Sequence, residues 1–439
     1  MKWLLLLIGM LCIGLMLLSP GQALAAGAVF TPAPDMAADA NNASASQPAK
    51  VLRARVVTVN TLLLFPETKG NATPDAAAAL AFNLFDNMTV QVTPTRWETS
   101  SDGNTTIFVG QNDAAVGGES RIANTGGVLY GMIRTGGKLL YELLPAGGNA
   151  YLLREIDQTT YPDEKEALPP TPLPQLDPAR TSSQRDDGSA IDVMMVYTAA
   201  ARNAVGGTAA MASLINLAFS ETNQGYANSG MVQRYRLVHA AEVSYDESSG
   251  FDDALSRLQN TSDGYMDEVH TLRDQYGADI VTLLIDNSDY CGLGYLMTSL
   301  SSDFAAWAFN VVSHSCATGY YSFAHECGHN QGAHHDRAST SGQGVYSYSY
   351  GYQQLSASPQ FRTIMAYNCS GDGCERVNYW SNPEVSYNGY PTGVVSTAAD
   401  SADNRMTLDN TRTTAANWRQ AVAPKSSTTV APQLLLLTN

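Results

Sequence analysis

The sequence predicts two folded units in series: an antiparallel all-β domain, then an α/β domain. Three observations carry this reading. Between residues 51 and 158, short runs of alternating apolar and polar residues are separated by Asp-Gly, Gly-Gly and Asn-rich turns, the period of half-buried strands. From Ile191 onward, apolar runs of strand length alternate with longer helical stretches, the pattern of α/β architecture. Between the two, residues 159–188 are rich in proline and charge and read as an extended, exposed linker.

Taken in order, the chain opens with MKWLLLLIGMLCIGLMLLSPGQALA. One lysine, an apolar run, a Ser-Pro-Gly break and Ala23-Leu24-Ala25 predict a signal peptide over 1–25, cut after Ala25. Residues 26–50 are rich in Ala, Asn and Ser and are expected to be unstructured. The β domain, 51–158, takes its strands from RARVVTV, TLLLF, MTVQVTPTRW, TTIFVG, VLYGMIRT, KLLYELL and AYLLREI, and holds no cysteine or histidine. After the linker, Ile191–Tyr197 reads as a buried strand and Ala199–Asn228 as one long helix. Arg234–Tyr245 reads as a strand, Asp252–Leu258 and Met266–Tyr276 as helices, and Asp279–Ile285 as another buried strand. A helix over Asp403–Ala421 closes a second domain of 189–421, and 422–439 is a low-complexity tail. No internal repeat and no Gly-Gly-x-Gly-x-Asp calcium repeat occurs.

Composition narrows the function. The 439 residues are only 15% charged, and acids give a formal net charge of −16, which argues against a nucleic-acid partner. Past the signal peptide no run approaches the ~18 apolar residues of a spanning helix, so no stable membrane insertion is expected after cleavage. Cys12 leaves with the signal. Cys291, Cys316, Cys327, Cys369 and Cys374 remain, in an oxidising compartment, so the protein is read as secreted, extracellular or periplasmic. The expected bridges are Cys291–Cys316 and Cys369–Cys374, with Cys327 left buried on a helix.

The stretch HECGHNQGAHHD, His325 to Asp336, holds four of the seven histidines. On a helix, His325 and His329 face one side, one turn apart, and reach a single ion. Glu326 sits beside the first ligand, placed to hold a water. Gly332 lets the helix end in a left-handed turn, and the reversed chain brings His335 in as third ligand. Three neutral imidazoles suit one Zn²⁺ and leave a fourth position open. His334 is one residue off that spacing and reads as a solvated neighbour. His239, His270 and His314 read as ordinary.

His-Glu-x-x-His-x-x-Gly-x-x-His followed by Thr363-Ile364-Met365-Ala366-Tyr367 resembles the metzincin zinc endopeptidases, over roughly Ile191 to Ala421. Asp336 is similar to the adamalysin/reprolysin branch, in which that aspartate anchors its segment. Tyr367 departs from that branch, which usually has proline there. It is similar to the tyrosine of astacins and serralysins, and so stands either as an oxyanion stabiliser or as a turn residue. IDVMMVYTAAAR, ETNQGYANSG, RLVHAAEVSYDE, DGYMDEVHTLRDQYGADIVTLL, CGLGYL and FAHECGHNQGAHHD together resemble the bacterial peptidyl-Asp metallopeptidases, which are secreted and cut on the N-terminal side of aspartate.

The resemblance implies a twisted mixed sheet for the α/β domain, Glu326 as general base and acid, Met365 as an apolar floor under the zinc, and protein or peptide substrates. The substrate would pair with a strand edge between Cys291 and Ser313. Arg337 and Arg362, flanking the motif and the Met-turn, are candidates to bind the aspartate carboxylate. The all-β unit is then a removable pro-domain in contact with the catalytic domain. It cannot act through a cysteine, so another ligand, such as a carboxylate, or steric blocking must serve. Asp186 and Asp187, after Arg185, are candidate self-processing sites. Structural Ca²⁺ is allowed by the resemblance, but no loop demands it. The alternatives are a broad-specificity reprolysin-like metzincin and a catalytically inert metzincin-fold binding protein.

Overall fold

The computed structural model describes residues 27–33, 49–66, 78–170 and 186–422. The expected signal peptide, most of the 26–50 segment, linker residues 171–185 and the tail lie outside them.

Alternation over the first domain produces nine strands: β1 (Phe30–Pro32), β2 (Val51–Val59), β3 (Leu80–Phe85), β4 (Met88–Thr99), β5 (Thr105–Asn112), β6 (Glu119–Thr125), β7 (Val128–Arg134), β8 (Leu139–Gly147) and β9 (Ala150–Asp157). They form one antiparallel sheet in the order β1-β2-β9-β8-β7-β6-β5-β4-β3. A bridge from Ala28 to Ala81 brings its two ends together, so the sheet curls into a near-barrel around Phe30, Phe82, Phe108, Tyr141 and Leu153. β4 keeps the strict alternation of a sheet wetted on one side, with Val90 and Val92 buried between exposed Thr89, Gln91 and Thr93. β7 is buried on both faces. Leu129 and Ile133 fill the barrel, whereas Tyr130 and Met132 join the core of the second domain.

Two expectations fail here. Phe30–Pro32, in the segment expected to be unstructured, is a strand paired with β2. TLLLF is not a strand: Thr61–Leu64 forms a single helical turn, α1. The ladder of β2 ends at Val59, opposite Phe30, so the residues beyond it have no partner strand. They fold inward instead, burying Leu64 under the Trp97 indole, which donates to the Leu64 carbonyl (2.7 Å).

The second domain has a five-stranded sheet in the order β11-β10-β12-β14-β13, from β10 (Ala190–Thr198), β11 (Arg234–Val243), β12 (Ile280–Ile285), β13 (Gly292–Gly294) and β14 (Phe309–Ser313). All neighbours are parallel except the edge strand β13, antiparallel to β14. The long helix expected over 199–228 is two, α2 (Ala199–Ala204) and α3 (Thr208–Asn228). Gly206 and Gly207, at φ 101° and 111°, break it, because such dihedrals have no place in a helix. Helices α4 (Gly250–Gln259), α5 (Glu268–Tyr276), α6 (Ser322–Asn330) and α7 (Asn404–Ala415) follow.

α3 explains how the two domains meet. Its buried residues, among them Met211, Leu214, Ile215, Leu217 and Phe219, lie on several faces rather than one stripe. Such a helix must be covered on all sides. β5, β6 and β7 of the near-barrel cover one side, β11 and α6 the other. Polar groups at this junction are paired. Ser213 Oγ donates to the Val128 carbonyl (3.0 Å), and buried Arg121 bonds Ser220 and Gln224 of α3.

The linker does not begin where the sequence places it. After a 3-10 turn at Gln158–Thr160, residues 161–170 are extended, but Tyr161, Glu164 and Ala167 are buried. Asp163 to Leu168 lie along the open edge of β13. Lys165 N–H donates to the Gly292 carbonyl (2.8 Å), Leu168 N–H to Gly294 (3.0 Å), and Leu296 N–H back to Leu168 (2.8 Å). An unpaired strand edge is a template for such a segment.

Leu214→Ala, at the centre of α3, is expected to lower stability by ~2–5 kcal/mol, the usual result of emptying a filled core site. The urea midpoint measures this; an unchanged midpoint would show that α3 is not the support that joins the two sheets.

Candidate metal centre and substrate cleft

α6 carries His325, Glu326 and His329, and every residue of it is buried. Several features fix it in place. It packs on β13 and β14. The Cys291–Cys316 bridge ties the start of β13 to the segment leading into α6, and the second expected bridge, Cys369–Cys374, is also present. Cys327 is free and buried, its thiol pushed up to about 12 by burial. Gly328 lets the helix lie against two neighbours: a Cβ there would come within 2.8 Å of the Trp380 ring and 2.9 Å of Met365 Sδ. Met365 thus sits directly beneath α6.

The helix ends at Asn330, and Gly332 turns the chain at φ 86°. A Cβ at Gly332 would run into Val345 and the Met297 carbonyl, so glycine is required by both dihedral and space. The reversed chain forms β15 (His334–Asp336), parallel to β16 (Tyr350–Gly351), and this carries His335 back towards α6. The Met-turn follows β17 (Gln353–Gln354) and β18 (Phe361–Arg362). β19 (Glu375–Arg376) completes that small sheet.

The three imidazoles converge through Nε2: His329 to His335 at 3.0 Å and His335 to His325 at 3.1 Å. Their Nδ1 atoms point outward. His325 Nδ1 meets the Ile364 carbonyl and His329 Nδ1 the Ala333 carbonyl, each at 2.9 Å, while His335 Nδ1 faces Glu166 Oε2 at 3.3 Å. Outward carbonyl and carboxylate acceptors fix the protons on Nδ1 and free the Nε2 lone pairs for an ion. Burial first, and then a neighbouring imidazole (His329 for His325, His335 for His329), pushes His325 and His329 well below the usual histidine range, so they are neutral as ligands must be.

Beside them, both oxygens of Glu326 are buried without a hydrogen-bond partner, and burial pushes its carboxyl well above the ordinary range. A side chain at Gly292 or Gly294 would collide with that carboxylate, so the edge strand lies flat over it. Three convergent lone pairs beside an orphaned carboxylate fit Zn²⁺, whose bonds to imidazole are ~2.0–2.1 Å long, together with a water.

The neighbours divide as follows. Asp336 Oδ2 accepts the Tyr367 N–H (3.0 Å), tying the third-histidine segment to the Met-turn. The Tyr367 ring lies 4.1 Å from that of His335, and its hydroxyl donates to the Glu164 carbonyl (2.8 Å). His334 is not solvated: it is 1% exposed, because β15 pairs with β16 and Thr340 Oγ1 covers its Nε2 (3.1 Å). Burial and the neighbouring His335 push it down to about 4. Arg337 lies on the Tyr350 ring and donates to the Ser347 and Ser401 carbonyls. Arg362 is fully buried, donating to the Ala366 carbonyl and to Tyr320 Oη.

Three residues of the cleft escape sequence reasoning: Glu164, Glu166 and Arg376. Glu166 meets His335 at Nδ1, not Nε2, so it orients that imidazole rather than competing for the ion. Arg376 Nη1 bonds Glu164 Oε1 at 2.6 Å, with both side chains fully buried. Its Nε and Nη2 share the Ile364 carbonyl with His325 Nδ1. In the sequence the two glutamates sit in a charged, proline-flanked stretch that signals solvent. Arg376 carries no spacing or motif at all.

The model for the metallo-peptidase family M12 matches residues 187–381. A protein of Stenotrophomonas maltophilia called peptidyl-Asp metalloendopeptidase is 44% identical over 316 residues, 71% of this chain and 72% of that one. Its namesake from Xanthomonas campestris is 42% identical over 304 residues, 68% of this chain and 69% of that one. A third, from Pseudomonas fragi, is 37% identical over 199 residues, 45% of this chain and 100% of that protein.

His329→Ala, which removes one of three ligands, and Gly332→Ala, which displaces another, are both expected to lower bound zinc after dialysis. Atomic absorption reads the stoichiometry. Wild-type zinc in His329→Ala would remove the triad as the binding site.

Proposed function

The chain belongs to the peptidyl-Asp metalloendopeptidase family, and from that premise we propose that it is a secreted zinc endopeptidase that hydrolyses peptide bonds on the N-terminal side of aspartate. The observation that carries the chemistry is the orphaned Glu326 carboxylate beside three converging Nε2 atoms. His325, His329 and His335 would hold the zinc ion, which when bound would supply Lewis acidity towards water and the scissile carbonyl. Glu326 takes the proton of the attacking water and passes it to the leaving amine. Its burial without protein partners suits this, since both carboxylate oxygens are left free to take up and pass on that proton. The Tyr367 hydroxyl, once free of the Glu164 carbonyl, turns to the developing oxyanion. Met365 supports α6 from below. The substrate main chain pairs with the edge at Gly292–Gly294.

The near-barrel is a pro-domain, and residues 159–170 block the cleft sterically. Their pairing with the β13 edge supports this, as does the Tyr367–Glu164 contact. Two disulfides support an oxidising compartment. Among the described residues no helix is long and apolar enough to cross a membrane. Asp186 and Asp187 stand as sites of self-cleavage. Asn417 brackets Asp186 through its N–H (3.1 Å) and carbonyl (2.9 Å), so the new terminus would stay attached to the catalytic domain.

Digestion of a random peptide library, read by mass spectrometry, is expected to give cuts before aspartate that a chelator abolishes. Cuts before bulky apolar residues would keep the metallopeptidase and discard the specificity. Glu326→Ala is expected to keep zinc and fold while losing activity by ~10³-fold or more; substantial turnover would end its role as base. Terminal sequencing should find a mature start at Asp186 or Asp187 in wild type but not in Glu326→Ala. The same start in both would rule out self-processing.

A further inference from the structure

We propose that Arg376 is the residue that receives the acidic side chain of the substrate, with Glu164 of this chain standing in its place. The proposal deepens the aspartate specificity put forward above and rests on it.

The argument begins with position. Asp163–Leu168 lies along the β13 edge, bonded through the Gly292 and Gly294 carbonyls and the Leu296 N–H. At its centre the Glu164 carbonyl accepts from Tyr367 Oη, 2.8 Å away, so the main chain passes over the metal centre. From there the Glu164 side chain enters a closed pocket and is 2% exposed. Its Oε1 receives Arg376 Nη1 at 2.6 Å and Ser322 Oγ at 2.7 Å. The Arg376 guanidinium rests over the Tyr320 ring at 4.6 Å, and Tyr320 Oη is itself bonded to Arg362. Arg376 Nη2 reaches to 2.6 Å of His325 Nδ1. The floor of the pocket is therefore the back of a metal ligand. A peptide with one carboxylate on Arg376 has its backbone beside the reacting centre.

Electrostatics select the occupant. A fully buried guanidinium is costly unless an anion faces it. Burial alone would raise the Glu164 carboxyl, but Arg376 and then Arg362 more than offset this and hold it below the ordinary range. When residues 159–170 withdraw, Arg376 Nη1 and Ser322 Oγ lose their shared partner, and the carboxylate of an incoming extended peptide replaces it. The resident glutamate is an imperfect fit, since its Oε2 is buried without a partner, and this favours its exchange. Arg337 and Arg362, the candidates read from sequence, spend donors on carbonyls and a tyrosine. Of the three, Arg376 is the one bonded to an acid in the cleft.

The test uses the zinc-loaded protein as recovered from the medium, in a preparation that cleaves peptides. Two peptides differing only as Asp or Asn after the scissile bond are compared by kcat/KM. Wild type is expected to favour Asp by ~10²-fold or more, and Arg376→Gln to bring the ratio close to one, with Arg376→Lys between them. A purely structural role would lower both rates together and leave the ratio at its wild-type value, which would overturn the proposal. A wild type that does not distinguish Asp from Asn would instead overturn the specificity itself. A second arm needs no variant protein. A synthetic peptide of residues 159–170 is expected to inhibit wild-type cleavage at least ~10-fold better than its Glu164→Gln form; equal inhibition would overturn the proposal even if Arg376→Gln fails to fold.

Discussion

His335 Nε2 must stand about 3 Å from both His329 Nε2 and His325 Nε2, in a buried site, before any ion arrives. Much of the second domain follows from that requirement. Two ligands come from one face of α6, but a straight helix cannot supply the third. Gly332 therefore ends the helix, and the β15–β16 pairing returns His335 to the same point. The helix itself cannot shift, because Gly328 seats it on Met365 and Trp380 while a disulfide ties its approach to the edge strand. Preorganisation of this kind keeps ligand geometry independent of the metal, and leaves both carboxylate oxygens of Glu326 without a protein partner among the described residues.

The same centre is surrounded by buried charge that the fold has to balance. Arg376 shares the Ile364 carbonyl with His325, so the residue that orients a metal ligand also faces the cleft. An acid is therefore needed opposite it whenever the cleft is closed to solvent, and residues 159–170 provide one. Their hold on the second domain is not local. Arg376 N–H donates to Gln158, and its carbonyl accepts from Arg134 of the near-barrel, so the first domain grips β19 directly. The first domain and the segment lying in the cleft therefore share Arg376 as a common anchor.

The sequence was most legible where local rules suffice. The ligand spacing, the Gly332 stop, the Met-turn, the alternation of the nine-stranded sheet and the pairing of the cysteines all depend on residues close in sequence or on compartment. It misled where partner availability decided the outcome. TLLLF has strand composition but no neighbour beyond Val59, so it turned into a helix. His334 reads as exposed beside the ligand set, but the chain around residue 340 folds over it. The charged stretch YPDEKEALPP reads as solvated, yet it buries Glu164, because the charge that compensates it lies 212 residues away in Arg376.

By itself, then, the sequence determined the centre: one helix, one glycine and three histidines at fixed spacing specify a triad suited to a metal with a carboxylate beside it, since backbone geometry converts that spacing into convergence. Only the tertiary structure decided what faces that centre. Glu164, Glu166, Tyr367 and Arg376 meet because a strand edge left open by β13 captured a distant extended segment, and no periodicity encodes that encounter. Long-range pairing of edges and charges is set by the packing of whole domains, and it is there that the cleft took its form.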